Sequence, residues 1–470
     1  MAETNDNAGA GRYHNRYLFL VVSVATIGGF LFGYDMMIFV GAELFLEQHF
    51  ALTKMQLGHA GASVVIGALV GTLIAAVISD TIGRKKTMLL AGILFLVSAI
   101  GTALPQTIGQ FNLFRILGGL GIGIAMVISP VYLAEIAPRG IRGRLVTFNQ
   151  IIIVSGSIMA MLVGFFLAKY VSDPNVNWRW MFASATIPTA ALLIGILFIP
   201  ESPRYLVQSN RIHEALTVLT NINGAAQARI EIQEIEKSIE LEEEQSSVSY
   251  RELLHPGVRK AMIVAVGLAA LQQFSGGMPL TMYAPMIFEK AGFPVAHQAI
   301  GVTALLQGVN LCVVFLVLYL VERVGRRPLL LLGLFLMAIG HLLLAYCFAA
   351  KLEGMPVAVI LTATTCMSNL SISPLAWVIM AEIFPTRIRG RAMGVATFVL
   401  YLCMYVMSLN FPWMKEEFES RFGSPAGIFL LFAVVCFAGT AFVFAMVPET
   451  RGKSLEEIAS GWLKGAPADS

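Results

Sequence analysis

Residues 135–144 read Glu-Ile-Ala-Pro-Arg-Gly-Ile-Arg-Gly-Arg, and residues 382–391 read Glu-Ile-Phe-Pro-Thr-Arg-Ile-Arg-Gly-Arg. Each copy follows an apolar stretch of the length that crosses a bilayer. Two more motif pairs repeat in the same order: Asp80-x-x-Gly83-Arg84-Lys85 with Glu322-x-x-Gly325-Arg326-Arg327, and Pro200-Glu201-Ser202-Pro203-Arg204 with Pro448-Glu449-Thr450-Arg451-Gly452. An internal repeat of membrane segments is typical of a secondary transporter with two related halves.

The composition predicts an integral membrane protein. Of 470 residues, 57% are apolar and 13% are charged, against roughly 25% charged in a soluble domain. Nearly uncharged stretches long enough to span a membrane lie near residues 17–41, 57–79, 87–108, 110–133, 145–168, 180–199, 261–288, 299–321, 328–350, 355–380, 393–412 and 426–447. We therefore expect an all-α membrane fold with twelve transmembrane helices, six in each half.

The spans divide the chain into four predicted regions. An N-terminal six-helix bundle covers residues 1–199, a cytoplasmic linker 200–258, a C-terminal six-helix bundle 259–447 and a cytoplasmic tail 448–470. The linker is rich in Glu, Ala, Ile and Leu at helical spacing, which favours short amphipathic helices that brace the bundles. A regulatory docking site is the alternative interpretation of the linker.

The distribution of basic residues predicts the topology. Loops after spans two, four, eight and ten hold clusters of Arg and Lys, whereas the alternating loops hold few. By the positive-inside rule, both termini are cytoplasmic in a multi-pass protein of the plasma membrane. Residues 1–15 lack a compact apolar core, so we expect the first span to act as the insertion signal.

Several classes of function are disfavoured. The net charge of +3 follows from the topology, so no nucleic-acid partner is expected. The five cysteines all lie in apolar spans of the second half, without metal-ligand spacing, which predicts packing residues. The Gly118–Gly123 stretch predicts close helix packing and not a dinucleotide loop, because it lies inside an apolar span. We expect neither enzymatic activity nor a metal.

Two ionisable residues stand out within the spans of the first half. Asp35 follows Gly33-Tyr34 in span one, and Arg115 lies early in span four. A charge inside a membrane is costly unless it is paired. If the two side chains meet, a rearrangement of the protein could separate them. The carboxylate could then bind a proton in place of the arginine. A static structural ion pair is the alternative.

Span seven predicts a ligand site beside a helix break. Gln272 and Gln273 are adjacent amides at mid-span, and Gly276-Gly277-x-Pro279 follows them. Amides at this depth need a polar ligand or partner, and the Gly-Gly-x-Pro sequence favours a break in the helix. Transporters place ligands at such discontinuous helices. An amide cluster that joins two helices is the alternative.

Further polar and aromatic residues are expected at a similar depth. Gln150 lies in span five, Asn310 in span eight and Trp377 in span ten. Amides both donate and accept hydrogen bonds, and an indole face packs on C–H surfaces, so this set suits a neutral polyhydroxylated ligand. A single Trp in a span is otherwise a packing residue.

The repeated charged motifs predict a cytoplasmic gate. Glu135 and Glu382 lie at helix ends, and cations lie on the same side of the membrane. We expect ion pairs between the two lobes that form and break during transport. The residues concerned are Arg84, Glu135, Arg142, Arg326, Glu382 and Arg389. The alternative is that the cations only set the topology.

These motifs together resemble the sugar porter family of the major facilitator superfamily, over about residues 17–457. The resemblance rests on Gly29-x-x-x-Gly33-Tyr34-Asp35, Gly83-Arg84-Lys85, Glu135-x-x-Pro138-x-x-x-Arg142-Gly143, Pro200-Glu201-Ser202-Pro203-Arg204, Gln272-Gln273-x-Ser275-Gly276, Gly325-Arg326-Arg327 and Pro448-Glu449-Thr450-Arg451-Gly452. It implies two lobes of six helices, alternating access and monosaccharide-like substrates. It also implies that Asp35 couples transport to protons, with Arg115 as its partner and no cofactor besides the proton.

The chain departs from the family pattern at several ligand positions. Met278 stands where an Asn is common, and Ser157 replaces an amide found in some members. Leu400 and Tyr401 stand where some members have Gln and Trp, and Ser373 replaces a frequent Gly. Each missing hydrogen bond is worth about 0.5–1.5 kcal/mol. A deoxy sugar, a smaller polyol or a more apolar ligand is therefore expected in place of an ordinary glucose or xylose.

The sequence thus predicts proton-coupled symport of a neutral sugar or polyol by a monomer in the lipid bilayer. A passive uniporter with the same site, in which Asp35 is structural, is the first alternative. A non-transporting solute sensor is the second, although the short C-terminal tail offers no signalling extension.

Overall fold

The computed structural model describes residues 6–137, 142–171, 173–245, 256–384 and 386–451. Over these ranges the chain forms α-helices and no strands. The helices are α1 Asp6–His49, α2 Lys54–Ile82, α3 Arg84–Ala103, α4 Ile108–Ile136, α5 Arg142–Tyr170, α6 Pro174–Ser184, α7 Thr186–Phe198, α8 Pro203–Gln208, α9 Ile212–Asn223, α10 Ala225–Gln245, α11 Pro256–Phe274, α12 Gly277–Met282, α13 Ala284–Lys290, α14 Ala296–Val324, α15 Arg326–Ala349, α16 Met355–Leu370, α17 Ile372–Glu382, α18 Thr386–Phe422 and α19 Ala426–Met446.

Twelve helical segments among the described residues are long and apolar enough to cross a membrane. This confirms the predicted all-α class and the number of spans. The ends differ from the prediction: the first span runs over Tyr17–His49 and the eleventh over Ile388–Phe422. Hydropathy marks only the apolar part of a helix, whereas the backbone hydrogen bonds continue through the charged residues that follow it.

The seventh span is broken where the Gly-Gly-x-Pro sequence predicts a break. Helix α11 ends at Phe274 and α12 begins at Gly277. Between them Gly276 has a φ of 88°, a left-handed conformation that glycine adopts without steric cost. Pro279 lacks a backbone N–H and cannot continue the hydrogen-bond ladder of α11. The predicted discontinuity of this span is confirmed.

The linker forms the short helices α8, α9 and α10 within the described ranges. Leu219, Ala228 and Ile232 make a small buried cluster between α9 and α10. Helices α9 and α10 therefore each present an apolar face to the other, as amphipathic helices do.

The chain divides into two compact units. Unit 1 comprises Met1–Asp35, Ile66–Ser157 and Phe182–Ser247, and unit 2 comprises Met36–Val65, Ile158–Met181 and Val248–Ser470. Each unit takes several separate segments of the chain. The regions predicted from the sequence, with boundaries at residues 199, 258 and 447, stay a prediction.

In unit 1, small residues let α2 and α4 touch along their backbones. A methyl group on Gly67 would lie 2.0 Å from the Ile116 carbonyl oxygen, and one on Gly123 would lie 2.2 Å from that of Ala68. Contacts this short leave no room for a side chain. The glycines of α4 therefore serve helix packing, as predicted for Gly118–Gly123.

In unit 2, the end of α1 and the start of α2 pack on helices of the second half. A methyl group on Gly58 would lie 2.0 Å from the carbonyl oxygen of Leu409, and one on Gly61 would lie 3.0 Å from the Tyr283 hydroxyl. That hydroxyl donates a hydrogen bond to the Ser408 carbonyl at 2.7 Å. These contacts hold the start of α2 tightly against Tyr283 and α18.

We predict that Gly58→Ala destabilises this packing. Its methyl group would overlap a backbone oxygen, and overpacking of this kind costs about 1–3 kcal/mol. The midpoint of thermal denaturation in detergent should fall relative to the unchanged protein. Gly394→Ala on α18 is the matched control, because nothing lies within 4 Å of its added methyl group. Equal midpoints for the two variants would contradict the prediction.

Candidate functional site

The middle of α1 is held against α5 through glycines. A methyl group on Gly33 would lie 1.9 Å from the Ile153 carbonyl oxygen, and one on Gly29 would lie 2.5 Å from the Asn149 Oδ1 atom. Such contact fixes the height and rotation of α1, because neither backbone can approach in another register. It thereby positions Asp35, two residues beyond Gly33.

The structure brings Asp35 and Arg115 together. Nη1 of Arg115 lies 2.6 Å from Oδ2 of Asp35. The Arg115 side chain is 1% exposed and that of Asp35 is 12% exposed. The guanidinium also lies 5.8 Å from the centroid of the Phe182 ring. The result is a short, charge-assisted ion pair inside unit 1, shielded on one side by an aromatic ring.

The predicted ligand residues of unit 1, Gln150 and Ser157, lie in α5. Gln150 is exposed, whereas its neighbour Asn149 is buried and faces Gly29. Ser157 is buried, and its hydroxyl donates to the Gly33 carbonyl at 3.2 Å. Ser157 therefore links α5 to α1, whereas the amide of Gln150 is accessible.

In unit 2, Gln272 and Gln273 lie one turn before the break in span seven. The Gln272 amide nitrogen donates to the Ser373 carbonyl at 3.1 Å. Gln273 is 4% exposed. Among the described residues, the side-chain oxygens of both are buried without a hydrogen-bond donor. A buried amide oxygen of this kind is suited to accept a hydrogen bond from a ligand.

Asn310 belongs to a polar cluster between α14 and α16. Its amide nitrogen donates to the Gln307 side-chain oxygen at 3.0 Å, and its own oxygen lies 3.5 Å from the Cys366 sulfur. Gln307 is buried as well and was not among the predicted residues. The sequence could have indicated Gln307, because it lies three residues before Asn310 and such positions share one face of a helix.

The three remaining predicted ligand residues differ in environment. Met278, just past the break, is half-buried. Trp377 is half-buried and packs against the apolar core of unit 2. Tyr401 and the adjacent Leu400 are buried, with Leu400 inside that core. Methionine, tryptophan and leucine present mainly apolar surface here, as their side chains dictate.

A second set of ionisable residues is buried and was not predicted from the sequence. Glu43 on α1 is 0% exposed and Lys415 on α18 is 7% exposed. Both residues belong to unit 2. Glu43 lies just beyond the first predicted span and Lys415 beyond the eleventh. Longer spans, as the structure has them, would have identified both residues.

Arg84 at the start of α3 is bound by two acidic residues of unit 1. Its guanidinium makes two parallel hydrogen bonds to Glu135, from Nε to Oε2 and from Nη2 to Oε1, each 3.0 Å long. Nη1 lies 3.1 Å from Asp80. The Ser202 hydroxyl also binds Glu135. Because the Arg84 side chain is only 5% exposed, this network is the bidentate, buried kind that fixes geometry.

Unit 2 repeats the network at the equivalent motifs. Arg326 lies 3.3 Å from Glu382, and the Thr450 hydroxyl donates to the same carboxylate at 2.5 Å. Glu449 accepts from the backbone N–H groups of Arg326 and Arg327, at 3.2 and 3.1 Å. Its counterpart in unit 1, Glu201, accepts from the backbone N–H of Lys85 at 3.0 Å. The internal repeat is thus preserved in hydrogen bonding.

The pairing differs from the prediction, which placed these ion pairs between the lobes. The pairs Arg84–Glu135 and Arg326–Glu382 each lie inside one unit. Within one unit, Arg389 donates to the Phe384 carbonyl at 3.3 Å. Pro138 and Pro385 of the repeated motif lie outside the described residues, as do the side chains of Arg142 and Glu322.

The family model of sugar (and other) transporters matches residues 21–462. The chain belongs to this sugar transporter family. The predicted membership of the sugar porters, with a major facilitator fold of twelve helices, is confirmed. The prediction that the chain is a membrane transporter and not an enzyme is also confirmed, because the family consists of transporters.

Two relatives of the sugar transporter family illustrate the match. The chain is 34% identical over 454 residues to an arabinose-proton symporter of Bacillus subtilis, covering 95% of this chain and 96% of that one. It is 31% identical over 486 residues to a D-xylose-proton symporter of Escherichia coli, covering 96% and 97%.

A solved structure of the family is also similar. The inward open conformation of the xylose transporter from Escherichia coli aligns with a TM-score of 0.83 at 30% identity. The alignment covers 95% of this chain and 100% of that one. Together with the twelve spans, these matches place the chain in the plasma membrane as a multi-pass protein.

We predict that Glu135→Gln strongly destabilises the protein. It leaves the buried Arg84 guanidinium without its bidentate partner, and breaking a buried pair costs about 3–5 kcal/mol. Glu417→Gln is the matched control, because it removes the Arg421 pair in which the arginine side chain is 71% exposed. The control should cost at most about 1 kcal/mol. Chemical denaturation of both variants measures the difference, and equal losses would contradict the prediction.

Proposed function

We propose that this member of the sugar transporter family carries out proton-coupled symport of a neutral, sugar-like solute by alternating access. The observation that carries the proposal is the buried Asp35–Arg115 pair, with 2.6 Å between Nη1 and Oδ2. An intramembrane ion pair marks a proton or ion pathway more often than a structural device. The named functions of the two relatives, which couple arabinose or D-xylose to protons, support the same conclusion.

Proton coupling follows from competition for one carboxylate. Asp35 binds Arg115 or a proton, because the ion pair requires the ionised form of the acid. Arg115 stays charged at any physiological pH. A rearrangement that separates the pair therefore favours proton binding, and its return favours release. The proton is the only coupling ion that this scheme needs.

The solute would bind through its hydroxyl groups to side-chain amides of the chain. Gln150 supplies an accessible amide in unit 1, and Gln272 and Gln273 supply buried acceptor oxygens in unit 2. Amide oxygens accept from hydroxyl groups without requiring a charge on the ligand. Ser157, Asn310, Trp377 and Tyr401 belong to this proposal as surrounding groups. Met278 contributes apolar surface, which favours a deoxy sugar or a polyol with fewer hydroxyl groups.

Alternating access would use the two networks of repeated charges. In each unit an arginine ties neighbouring helix ends together through a glutamate, so that the ends move as one body. At the α1–α2 end of unit 2, Gly58 and Tyr283 make close contacts with α18. By the positive-inside rule this end faces outward and both termini are cytoplasmic. The gate also includes Arg142 and Arg389, and a monomer suffices for the cycle.

A passive uniporter is the second candidate. It is favoured by the tight packing of Gly33 on the Ile153 backbone, which holds the surroundings of Asp35 rigidly. In that case the ion pair is structural, and no proton moves with the solute. The two candidates differ in whether Asp35 is needed for accumulation.

We expect Asp35→Asn to abolish uphill transport and retain exchange. Asparagine keeps the size of the side chain but neither ionises nor carries a transferable proton. The assay uses proteoliposomes with an imposed pH gradient and a panel of pentoses, hexoses, deoxy sugars and polyols. Proton entry on addition of solute should disappear in the variant, whereas exchange of labelled solute across the membrane continues.

Asp173→Asn is the control for that variant, because Asp173 is exposed in the connection before α6. It should retain proton entry and accumulation. Equal solute movement in wild type and Asp35→Asn, with no proton flux in either, would establish the uniporter instead.

We also predict that Met278→Asn shifts the selectivity toward fully hydroxylated sugars. The new amide offers an NH₂ donor group and a carbonyl acceptor, and a hydrogen bond gained is worth about 0.5–1.5 kcal/mol, or roughly two- to tenfold in affinity. Competition between a hexose and its deoxy analogue measures the shift. Met55→Asn, at the exposed start of α2, should leave the ratio unchanged. An unchanged ratio in Met278→Asn would remove Met278 from the ligand site.

A further inference from the structure

A fully buried histidine that the proposed mechanism does not use lies in the ninth span. His341 on α15 is 0% exposed. Its Nε2 atom lies 2.9 Å from the backbone carbonyl oxygen of Ser275. A carbonyl only accepts hydrogen bonds, so Nε2 carries the hydrogen and donates it. Within the described ranges the other ring nitrogen, Nδ1, is buried without a partner.

The carbonyl that His341 binds is one that its own helix leaves without a donor. In a continuous helix, the Ser275 oxygen would accept from the N–H of the residue four positions on. That residue is Pro279, which has no N–H. The next carbonyl, that of Gly276, is bound by the N–H of Leu280 at 3.0 Å. The break in span seven therefore leaves the Ser275 oxygen in need of a donor from another helix.

Two other helices meet that need. His341 donates from α15, and the Cys436 thiol on α19 donates at 3.3 Å. The imidazole is also fixed on its flanks, since its centroid lies 5.4 Å from that of the Phe432 ring. A methyl group added to Gly276 would lie 2.8 Å from Cε1 of His341 and 2.7 Å from Phe432. The ring thus has one position, and it fixes the end of α11 to α15.

We propose that His341 is a positioning residue for transport. Its hydrogen bond to the Ser275 carbonyl fixes the end of α11, and with it Gln272 and Gln273, at the break before α12. The fixed end of α11 follows from the contacts alone. The effect on solute binding rests on the proposed function, because it takes the two glutamines as ligand residues.

The test compares a variant that removes the donor with one that keeps it. His341→Met fills a similar volume without an N–H group, whereas His341→Gln places an amide nitrogen near the position of Nε2. Leu342→Met on the same helix, where the side chain is 41% exposed, is the control for substitution on α15. All are made in the full chain.

The first measurement is hydrogen–deuterium exchange of the peptide that contains α12, without any sugar. In His341→Met the amides of this peptide should exchange about tenfold faster, because the Ser275 carbonyl has lost the stronger of its two hydrogen-bond donors. His341→Gln and Leu342→Met should exchange like the wild type. Wild-type exchange in His341→Met would overturn the proposal. Equal acceleration in His341→Met and His341→Gln would also overturn it, since the ring and not the hydrogen bond would then be responsible.

The second measurement is the concentration dependence of solute exchange, with the sugars and polyols of the proteoliposome panel. His341→Met should raise the KM about tenfold and change the maximal rate less, with His341→Gln restoring the KM. An unchanged KM in His341→Met, with faster amide exchange, would overturn the positioning role. If the wild type carries no member of the panel, the proposed function fails, and the amide-exchange experiment alone decides the role of His341.

Should His341→Met fail to fold, Cys436→Ala provides the second variant. It removes the weaker donor to the same carbonyl and leaves the imidazole in place. A smaller acceleration of α12 exchange than tenfold, but above that of Leu342→Met, is expected. No acceleration at all would overturn the view that this carbonyl anchors the break.

Discussion

The bilayer contains no water to satisfy polar groups, and this constraint governs the whole molecule. Backbone N–H and C=O groups must pair within the segment that crosses the membrane, so the twelve spans are helical. Where a helix is broken, another element must supply the missing partner. The Ser275 carbonyl shows this directly, because Pro279 removes its donor and His341 and Cys436 replace it.

The same constraint explains how the charged residues are arranged. Arg115 is buried beside Asp35, and Arg84 is buried between Glu135 and Asp80. A desolvated guanidinium is stable only when acceptors surround it. The two arrangements differ in their role. The Arg84 network joins helix ends and recurs in the second half, whereas the Asp35 pair has a single carboxylate, to which we assign the coupled proton.

Glycine has a structural role that follows from the same need for close contact between helices. Gly33 on Ile153 and Gly58 on Leu409 bring backbones so near that no side chain fits between them. Without a hydrophobic driving force between helices in lipid, such contacts supply much of the packing energy. They also determine which residues face one another, which is how Asp35 comes to its place opposite Arg115.

The sequence by itself determined the class, the number of spans, the family and the break in span seven. These depend on length, hydropathy and proline chemistry, which are local properties. It also singled out Asp35 and Arg115, because charges are rare in spans. Only the tertiary structure decided that Arg84 and Arg326 pair inside their own units, that Glu43 and Lys415 are buried, and that His341 binds the carbonyl of Ser275. Those contacts join residues far apart in sequence, and their partners depend on how whole helices pack, which no local pattern specifies.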